Sequence, residues 1–243
     1  KQTGIPEADI YGVATFYTLL KRPQVALRVC QGTSCVMAGA FERIAAAEAE
    51  GVDVERVSCL GQCDRAPACL DDRLEVVAGR ERGPVTPNDP DLPINLGGAD
   101  DASYKALARA RELGPEAVIA LLHEAGLQGR GGAGFPAHLK WKSVRGATDP
   151  VRYLVVNADE AEPGTFKDRE VMLRRPHRML EGMAIAAEAI GAKEAWIYVR
   201  GEFVECRRSL QAAIDAAQLP LTIHLSEGHG AYICGEETAL LES

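Results

Sequence analysis

No apolar run among these 243 residues approaches the roughly 18 that a membrane-crossing helix needs, so nothing in the sequence inserts directly into a bilayer. No cluster of lysine or arginine appears, and with a formal net charge of −8 the chain does not offer a nucleic-acid surface. A signal-peptide pattern is also lacking, although the chain opens on Lys1 rather than methionine and reads as having lost its beginning. His123, His177, His224 and His229 are scattered without the spacing of a metal site or a catalytic triad. What remains, at 47% hydrophobic and 26% charged, is an ordinary globular composition, enough for one large or two modest domains.

Seven cysteines are present, and four of them form two tight pairs, Cys30 with Cys35 and Cys59 with Cys63. In a chain without a secretory signal that pattern suggests metal rather than disulfides. The alternation at 24–30 predicts a strand ending on Cys30, followed by a helix over 38–50 stopped at Gly51. A second strand over 52–58 runs into Cys59, and a short β segment at 74–77 closes the unit. Two strands flanking one helix put both strand ends at the same edge of a parallel pair, where the four sulfurs converge. Spacing alone is compatible with a four-cysteine zinc; it is not the plant-type ferredoxin pattern. Cys69 and Cys206 read as small buried hydrophobes, and Cys234 has no partner cysteine near it in sequence.

Residues 79–98 carry Pro84, Pro87, Pro90 and Pro93 among glycines, which predicts an extended connector. Helices over 103–113 and 115–125 follow. Gly129, Arg130, Gly131, Gly132, Ala133 and Gly134 then form a loop that no helix or strand favours, since glycine loses the most backbone freedom on ordering. Such a loop offers bare amides to an anion. Phe135 adds a ring for stacking, and Lys140 and Trp141 add a cation and an indole, together suggesting a nucleotide site. Gly129, Gly131 and Gly134 match the dinucleotide fingerprint in spacing, but a helix precedes the loop where a strand is required, and Phe135-Pro136 disfavours a helix opening there. A plain surface linker fits poorly with Phe, Lys and Trp in register. Beyond the loop, a buried strand at 152–156 delivers Asn157, Asp159 and Glu160 to its carboxyl end, where open α/β sheets bind ligands. Helices at 181–190 and 203–217 alternate with strands at 195–199 and 221–225, predicting a parallel sheet with covered faces. A last helix begins near Glu236.

Three stretches carry a family resemblance: Gly129 to Pro136 with Lys140-Trp141, Asn157 to Thr165, and Tyr232 to Thr238. In this order they resemble the flavin-bearing NADH-oxidising 51-kDa-type subunit of respiratory complex I and the diaphorase subunits of NAD-linked formate dehydrogenases and NAD-reducing hydrogenases. Cys59-Leu60-Gly61-Gln62-Cys63, with Cys30 and Cys35, is similar to the thioredoxin-like 2Fe–2S domain of the 24-kDa-type subunit, and 11–17 resembles the end of that subunit's helical prefix. The fold implied is α/β: a thioredoxin-like 2Fe–2S domain followed by a Rossmann-like FMN-binding domain, truncated. The implied division is 1–20 for the end of the prefix, 21–80 for the 2Fe–2S domain, 81–102 for the linker, and 103–243 for an FMN- and NADH-binding domain incomplete at its C-terminus.

The resemblance implies that Cys30, Cys35, Cys59 and Cys63 hold a 2Fe–2S cluster. It puts Gly129, Gly131 and Lys140, with neighbouring Arg130, Gly132 and Gly134, on the flavin phosphate side, and Phe135 against the NADH adenine. Asn157, Asp159 and Glu160 would hydrogen-bond the flavin, Glu162 and Glu237 would face NADH, and Tyr232, Gly235 and Glu236 would complete the flavin pocket. No protein residue is expected to be catalytic, because hydride transfer belongs to FMN. A 4Fe–4S cluster is expected only in a full-length protein. The implied partners are NADH and other iron–sulfur subunits of a multisubunit redox complex, in the cytoplasm or held at the inner membrane face through those subunits. Two other classes stay open: an electron carrier without dehydrogenase activity, and a diaphorase reducing NAD with electrons from formate or hydrogen.

Overall fold

The computed structural model describes residues 4–83, 96 and 99–243. Most of the expected proline-rich connector, from Pro84 to Pro93 and on to Gly98, therefore lies outside the described residues. Two helices open the chain, α1 (Glu7–Phe16) and the single-turn α2 (Thr18–Lys21). The N-terminal segment is anchored far along the chain, where Thr18 N–H donates to Gly230 O at 3.0 Å and Leu19 N–H to His229 O at 3.0 Å.

The first sheet is built from β1 (Leu27–Cys30), β2 (Val54–Val57), β3 (Cys69–Leu70) and β4 (Val76–Ala78), in the order β2-β1-β3-β4. Strands β1 and β2 are parallel, as expected, with Cys30 opposite Val57. The connection between them is two helices rather than one, α3 (Thr33–Met37) and α4 (Ala40–Ala49), split at Gly39 with φ +95°. Its core joins Val29, Ile44, Leu60 and Leu70.

In the second unit, α5 (Lys105–Leu113) and α6 (Pro115–Glu124) precede the glycine loop, and Pro115 sits at the first helical position where its missing N–H costs nothing. Helix α7 (Ala137–Arg145) leads to β5 (Tyr153–Ala158). Then come α8 (Lys167–Arg174), α9 (Pro176–Ile190), β6 (Glu194–Val199), α10 (Val204–Ala217), β7 (Thr222–Glu227) and α11 (Glu237–Glu242). Strands β5, β6 and β7 form a parallel sheet with β6 in the middle, and Leu180, Ile197, Phe203 and Leu210 are buried against it.

One expectation needs correction. The strand carrying Asn157 is not buried: it is an edge strand whose Tyr153 and Val155 are 57% and 39% exposed. The face that Tyr153 and Val155 share is therefore uncovered at β5. The expectation that no helix opens on the last glycine of the loop holds, since Phe135 stays outside a helix and α7 starts only after Pro136. Proline restricts the residue before it, and Pro136 serves as the N-terminal boundary from which α7 starts.

Candidate functional site

The glycine loop is a closed turn between α6 and α7. Gly129 N–H donates to Phe135 O at 2.9 Å, and Gln128 bridges to Pro136. Gly132 at φ +106° and Gly134 at φ +62° adopt backbone that side-chain-bearing residues avoid. Facing this turn, at the carboxyl end of β5, is a cavity of about 630 Å3. Its walls bring together Arg130, Gly131, Asn157, Asp159, Glu160, Glu162, Tyr232, Gly235 and Glu236 from three distant stretches of sequence. Ala161, Thr165, Lys167, Asp168 and Ile233, which sequence reasoning does not single out, line it as well.

The remaining candidates stand apart. Gly129, Gly132 and Gly134 shape the turn without lining the cavity, and Phe135 is 53% exposed. Lys140 and Glu237 form an exposed ion pair at 3.0 Å outside the cavity wall.

Hydrogen bonds sort the carboxylates by task. Glu160 is buried and accepts the backbone amides of Asp168 at 3.0 Å and Arg169 at 3.1 Å, so it satisfies the open N-terminus of α8. Glu236 accepts the amides of Thr238 and Ala239 at 3.0 Å each and is the N-cap of α11. Those amide bonds, from Ala239 and then Thr238, hold its carboxyl below the ordinary value. The expected flavin contacts through these two side chains thus meet carboxylates already committed to helix ends. Glu162 is at the rim, where it accepts the Tyr232 hydroxyl at 2.5 Å. Asn157 donates to Gly235 O at 2.6 Å, which ties β5 to the third motif. A side chain at Gly235 would crowd Asp159, since a Cβ there would lie 3.1 Å from its backbone O.

Asp159 differs from its neighbours. Its Oδ2 is buried without a hydrogen-bond partner, an acceptor left for a ligand. Burial raises its carboxyl to about 6 from 3.8, with Glu202 adding to the effect and Arg200 opposing it. An acid whose folded value lies above its unfolded one binds its proton more tightly when folded. Its contribution therefore makes stability fall as pH rises from about 4 to about 6, and stay lower above that. Asp159→Asn should remove this dependence. After discounting for partial exposure, the variant is expected to gain on the order of 1 kcal/mol over the parent near pH 7.5 and little near pH 4, read from urea midpoints. A parent–variant difference that does not change with pH would exclude Asp159 as the titrating group.

On the far side of the 159–164 loop lie the four paired cysteines. All seven cysteines are free thiols, and each of the four paired ones accepts one backbone amide. Gly32 N–H points to Cys30 Sγ, Gly61 N–H to Cys59 Sγ and Ala68 N–H to Cys35 Sγ, each at 3.4 Å. Gly164 N–H reaches Cys63 Sγ at 3.2 Å, across from the second unit. Cys59 and Cys63 sulfurs are 3.8 Å apart. The Cys59 thiol is pulled well below its ordinary value, first by hydrogen bonds from Cys30 and Cys63 and then by the Gly61 amide and the Arg200 charge. Cys30 is pushed up by its bonds to Cys35 and Cys59. A cavity of about 100 Å3 lies among Cys30, Cys35, Cys63 and Gly164. Four thiols in mutual contact, each with an amide donor, fit a thiolate-held iron–sulfur centre, whose sulfurs are tuned by such hydrogen bonds. Among the described residues no group of three or more His, Cys, Asp or Glu is arranged around a single ion.

The two sites are locked together. A Cβ on Gly61 would lie 2.4 Å from the Phe203 ring, so only glycine permits this approach of the cysteine loop to the second unit. Arg169, 1% exposed, donates to Gly61 O at 2.8 Å, Gln62 Oε1 at 2.9 Å and Asp64 at 2.7 Å. Arg200, also buried, donates to Glu160 O and Cys59 O. Neither arginine stands out in the sequence. The only local signal is an arginine directly after the apolar strand β6, at Val199-Arg200-Gly201.

Known proteins resemble both units of the chain. The family described as the Nuo51 FMN-binding domain matches residues 122–243, and that described as a thioredoxin-like 2Fe-2S ferredoxin matches residues 1–78. The second of the NADH-quinone oxidoreductase F subunits of Rhizobium meliloti is 47% identical over 154 residues, 58% of this chain and 37% of its own length. The NADH-quinone oxidoreductase F subunit of Aquifex aeolicus is 46% identical over 156 residues, 59% of this chain and 36% of its own. A crystal structure of an NAD+-reducing NiFe-hydrogenase in the H2-reduced state has a TM-score of 0.83 at 30% identity, covering 99% of this chain and 50% of that one. The chain thus spans well under half the length of these curated relatives.

Proposed function

The chain belongs to the family of the Nuo51 FMN-binding domain, here fused to a thioredoxin-like 2Fe–2S domain, and from that premise we propose that it is the NADH-oxidising, diaphorase-type module of a multisubunit redox complex. One observation carries the reading: the 159–164 loop lines the nucleotide-sized cavity with Asp159, Glu160 and Glu162 and, through Gly164, donates to Cys63 among the paired cysteines. A donor pocket and an electron acceptor share one loop. The units are taken as 21–80 and 103–243.

When bound, FMN would take hydride from NADH and release electrons singly, and a 2Fe–2S centre would accept one. The chain's own residues bind and orient. The 630 Å3 cavity is within the range of small-molecule sites. Arg130 and the Gly131 amide supply the cationic and N–H side for a phosphate. The unpaired Asp159 Oδ2 is the acceptor for a ligand N–H or hydroxyl. Asn157 is oriented by Gly235 O, and the Tyr232–Glu162 pair presents a hydroxyl and a carboxylate at the rim. Cys30, Cys35, Cys59 and Cys63 would hold the cluster.

The complex that the module serves is the finer part of the proposal. The NADH-quinone oxidoreductase relatives support delivery of electrons toward quinone. A second reading, a soluble diaphorase reducing NAD+, has one observation in its favour: a single hydrogenase chain matches 99% of this one, both units included. Purifying the native complex separates them. Hydrogen- or formate-driven NAD+ reduction supports the second, and NADH-driven quinone reduction the first.

Nucleotide choice tests the pocket. Glu162 leaves a carboxylate at the rim, so a 2′-phosphate meets repulsion on the order of 1–2 kcal/mol, roughly tenfold in affinity. The full-length protein should prefer NADH to NADPH by at least that factor in kcat/KM, and Glu162→Gln should narrow the ratio. Equal use of both nucleotides by the parent would count against the assignment.

A further inference from the structure

Arg200 directly follows β6 at the seam between the two sites and is 6% exposed. Its Nη1 donates to Glu160 O at 2.7 Å, in the cavity wall, and its Nη2 donates to Cys59 O at 2.9 Å, on the cysteine loop. The buried Glu202 holds the remaining edge, accepting from Nη2 at 2.9 Å and from Nε at 3.3 Å. The guanidinium also lies over the Phe203 ring, 5.3 Å from its centroid. Few of its degrees of freedom are left. Glu202 and Phe203 fix the plane of the group, and the two outer nitrogens each grip one site.

A guanidinium is a planar, rigid fork with donors at fixed separation. If a ligand displaces the Glu160 peptide, the fork must either break a buried hydrogen bond or carry the displacement to the Cys59 peptide. A buried donor or acceptor left unpaired is costly, so movement of the group as a unit is favoured. Arg200 also brings a positive charge beside Cys59, and because the arginine is buried that charge acts with less screening than at the surface. Reduction adds negative charge to a thiolate-held cluster, so the distance of this cation from Cys59 sets how easily the electron is accepted.

We propose that Arg200 is a positioning residue that couples the nucleotide pocket to the cluster, so that occupancy of the pocket shifts the reduction potential of the 2Fe–2S centre through the Glu160–Arg200–Cys59 bridge. The inference rests on the proposed function for the identity of the two sites and goes beyond it in joining them energetically. Coupling of this kind is reciprocal. Ligand affinity must change on cluster reduction by the same factor as the reduction equilibrium changes on ligand binding.

The test uses the full-length protein carrying flavin and cluster. The probe is ADP-ribose, which lacks the nicotinamide and so cannot itself be reduced. Calorimetry measures its binding, and potentiometric titration followed by electron-spin resonance measures the cluster with and without it. In the parent, saturating ADP-ribose is expected to change the reduction equilibrium constant at least threefold, where tenfold corresponds to about 59 mV for one electron. Arg200→Lys keeps a charge near Cys59 but cannot grip both carbonyls, and should retain the cluster signal while losing the shift. Glu202→Gln keeps both carbonyl contacts and should retain the shift, although its baseline potential rises with loss of the carboxylate.

A shift of parental size in Arg200→Lys, or its loss in Glu202→Gln, overturns the bridge. If Arg200→Lys does not assemble a cluster, the parent still decides: bound ADP-ribose with no shift overturns the coupling. Absence of ADP-ribose binding instead overturns the functional reading on which it rests.

Discussion

Arg169→Met lowers the stability of the folded chain by about 3–5 kcal/mol, the cost of breaking a buried ionic network from one side. Arg169 projects from α8 of the second unit, yet its strongest partners are Gly61, Gln62 and Asp64 of the cysteine loop. Methionine fills much of the same volume but leaves the Gly61 carbonyl and the buried Gln62 amide without their donor and Asp64 without its cation, while Glu170 keeps Arg174 at 2.7 Å. Burial costs the guanidinium, but Asp64 and then Glu170 outweigh that and hold it charged. Arg169→Lys should recover only part of the loss, since an ammonium cannot reproduce a planar fork serving Gly61, Gln62, Asp64 and Glu170. Urea unfolding followed by far-ultraviolet circular dichroism measures the difference. A loss below about 1 kcal/mol would mean that the network is worth no more than a surface ion pair.

The second large effect is compositional. Cys59→Ser should reduce iron and acid-labile sulfide to near zero and abolish the rhombic 2Fe–2S resonance of the reduced protein. Cys59 lies at the centre of the thiol cluster, bonded by Cys30 and Cys63 and by the Gly61 amide. The thiolate is the ligand form, and a serine hydroxyl stays protonated in the same setting. Cys206→Ser provides the contrast. That thiol is on the buried side of α10, its sulfur 3.8 Å from Arg169 O, and burial pushes it up to about 12. The substitution should therefore leave iron content unchanged. Stoichiometric zinc with no iron in anaerobically purified parent protein would refute the 2Fe–2S assignment outright.

Much of this architecture is written in local chemistry. The cysteine pairs sit at the ends of β1 and β2 because a strand–helix–strand unit brings parallel strand ends to one edge. The three motifs at 129–136, 157–165 and 232–238 do meet around one cavity. Long-range pairings are less legible. Nothing near Glu160 in sequence reveals that its carboxylate is spent on amides eight and nine residues later, because α8 has too little apolar periodicity to announce a helix start there. Glu236 reads as a pocket carboxylate and does line the cavity, but its second role as a helix cap is not legible. The two-residue strand β3 is too short for any alternation. Arg169 and Arg200 find their partners more than a hundred residues upstream in the cysteine loop, and no periodicity encodes such pairs. These two buried arginines make one assembly of what would otherwise be two adjacent sites.

The claim that this assembly conducts electrons from NADH is tested most directly by one anaerobic addition. Full-length protein with flavin and cluster in place is mixed with stoichiometric NADH and frozen, and the electron-spin resonance spectrum is recorded. Appearance of the reduced 2Fe–2S signal with NADH, and its absence with NADPH under the same conditions, is the predicted result. A cluster that dithionite reduces but NADH leaves fully oxidised at every mixing time would contradict the account.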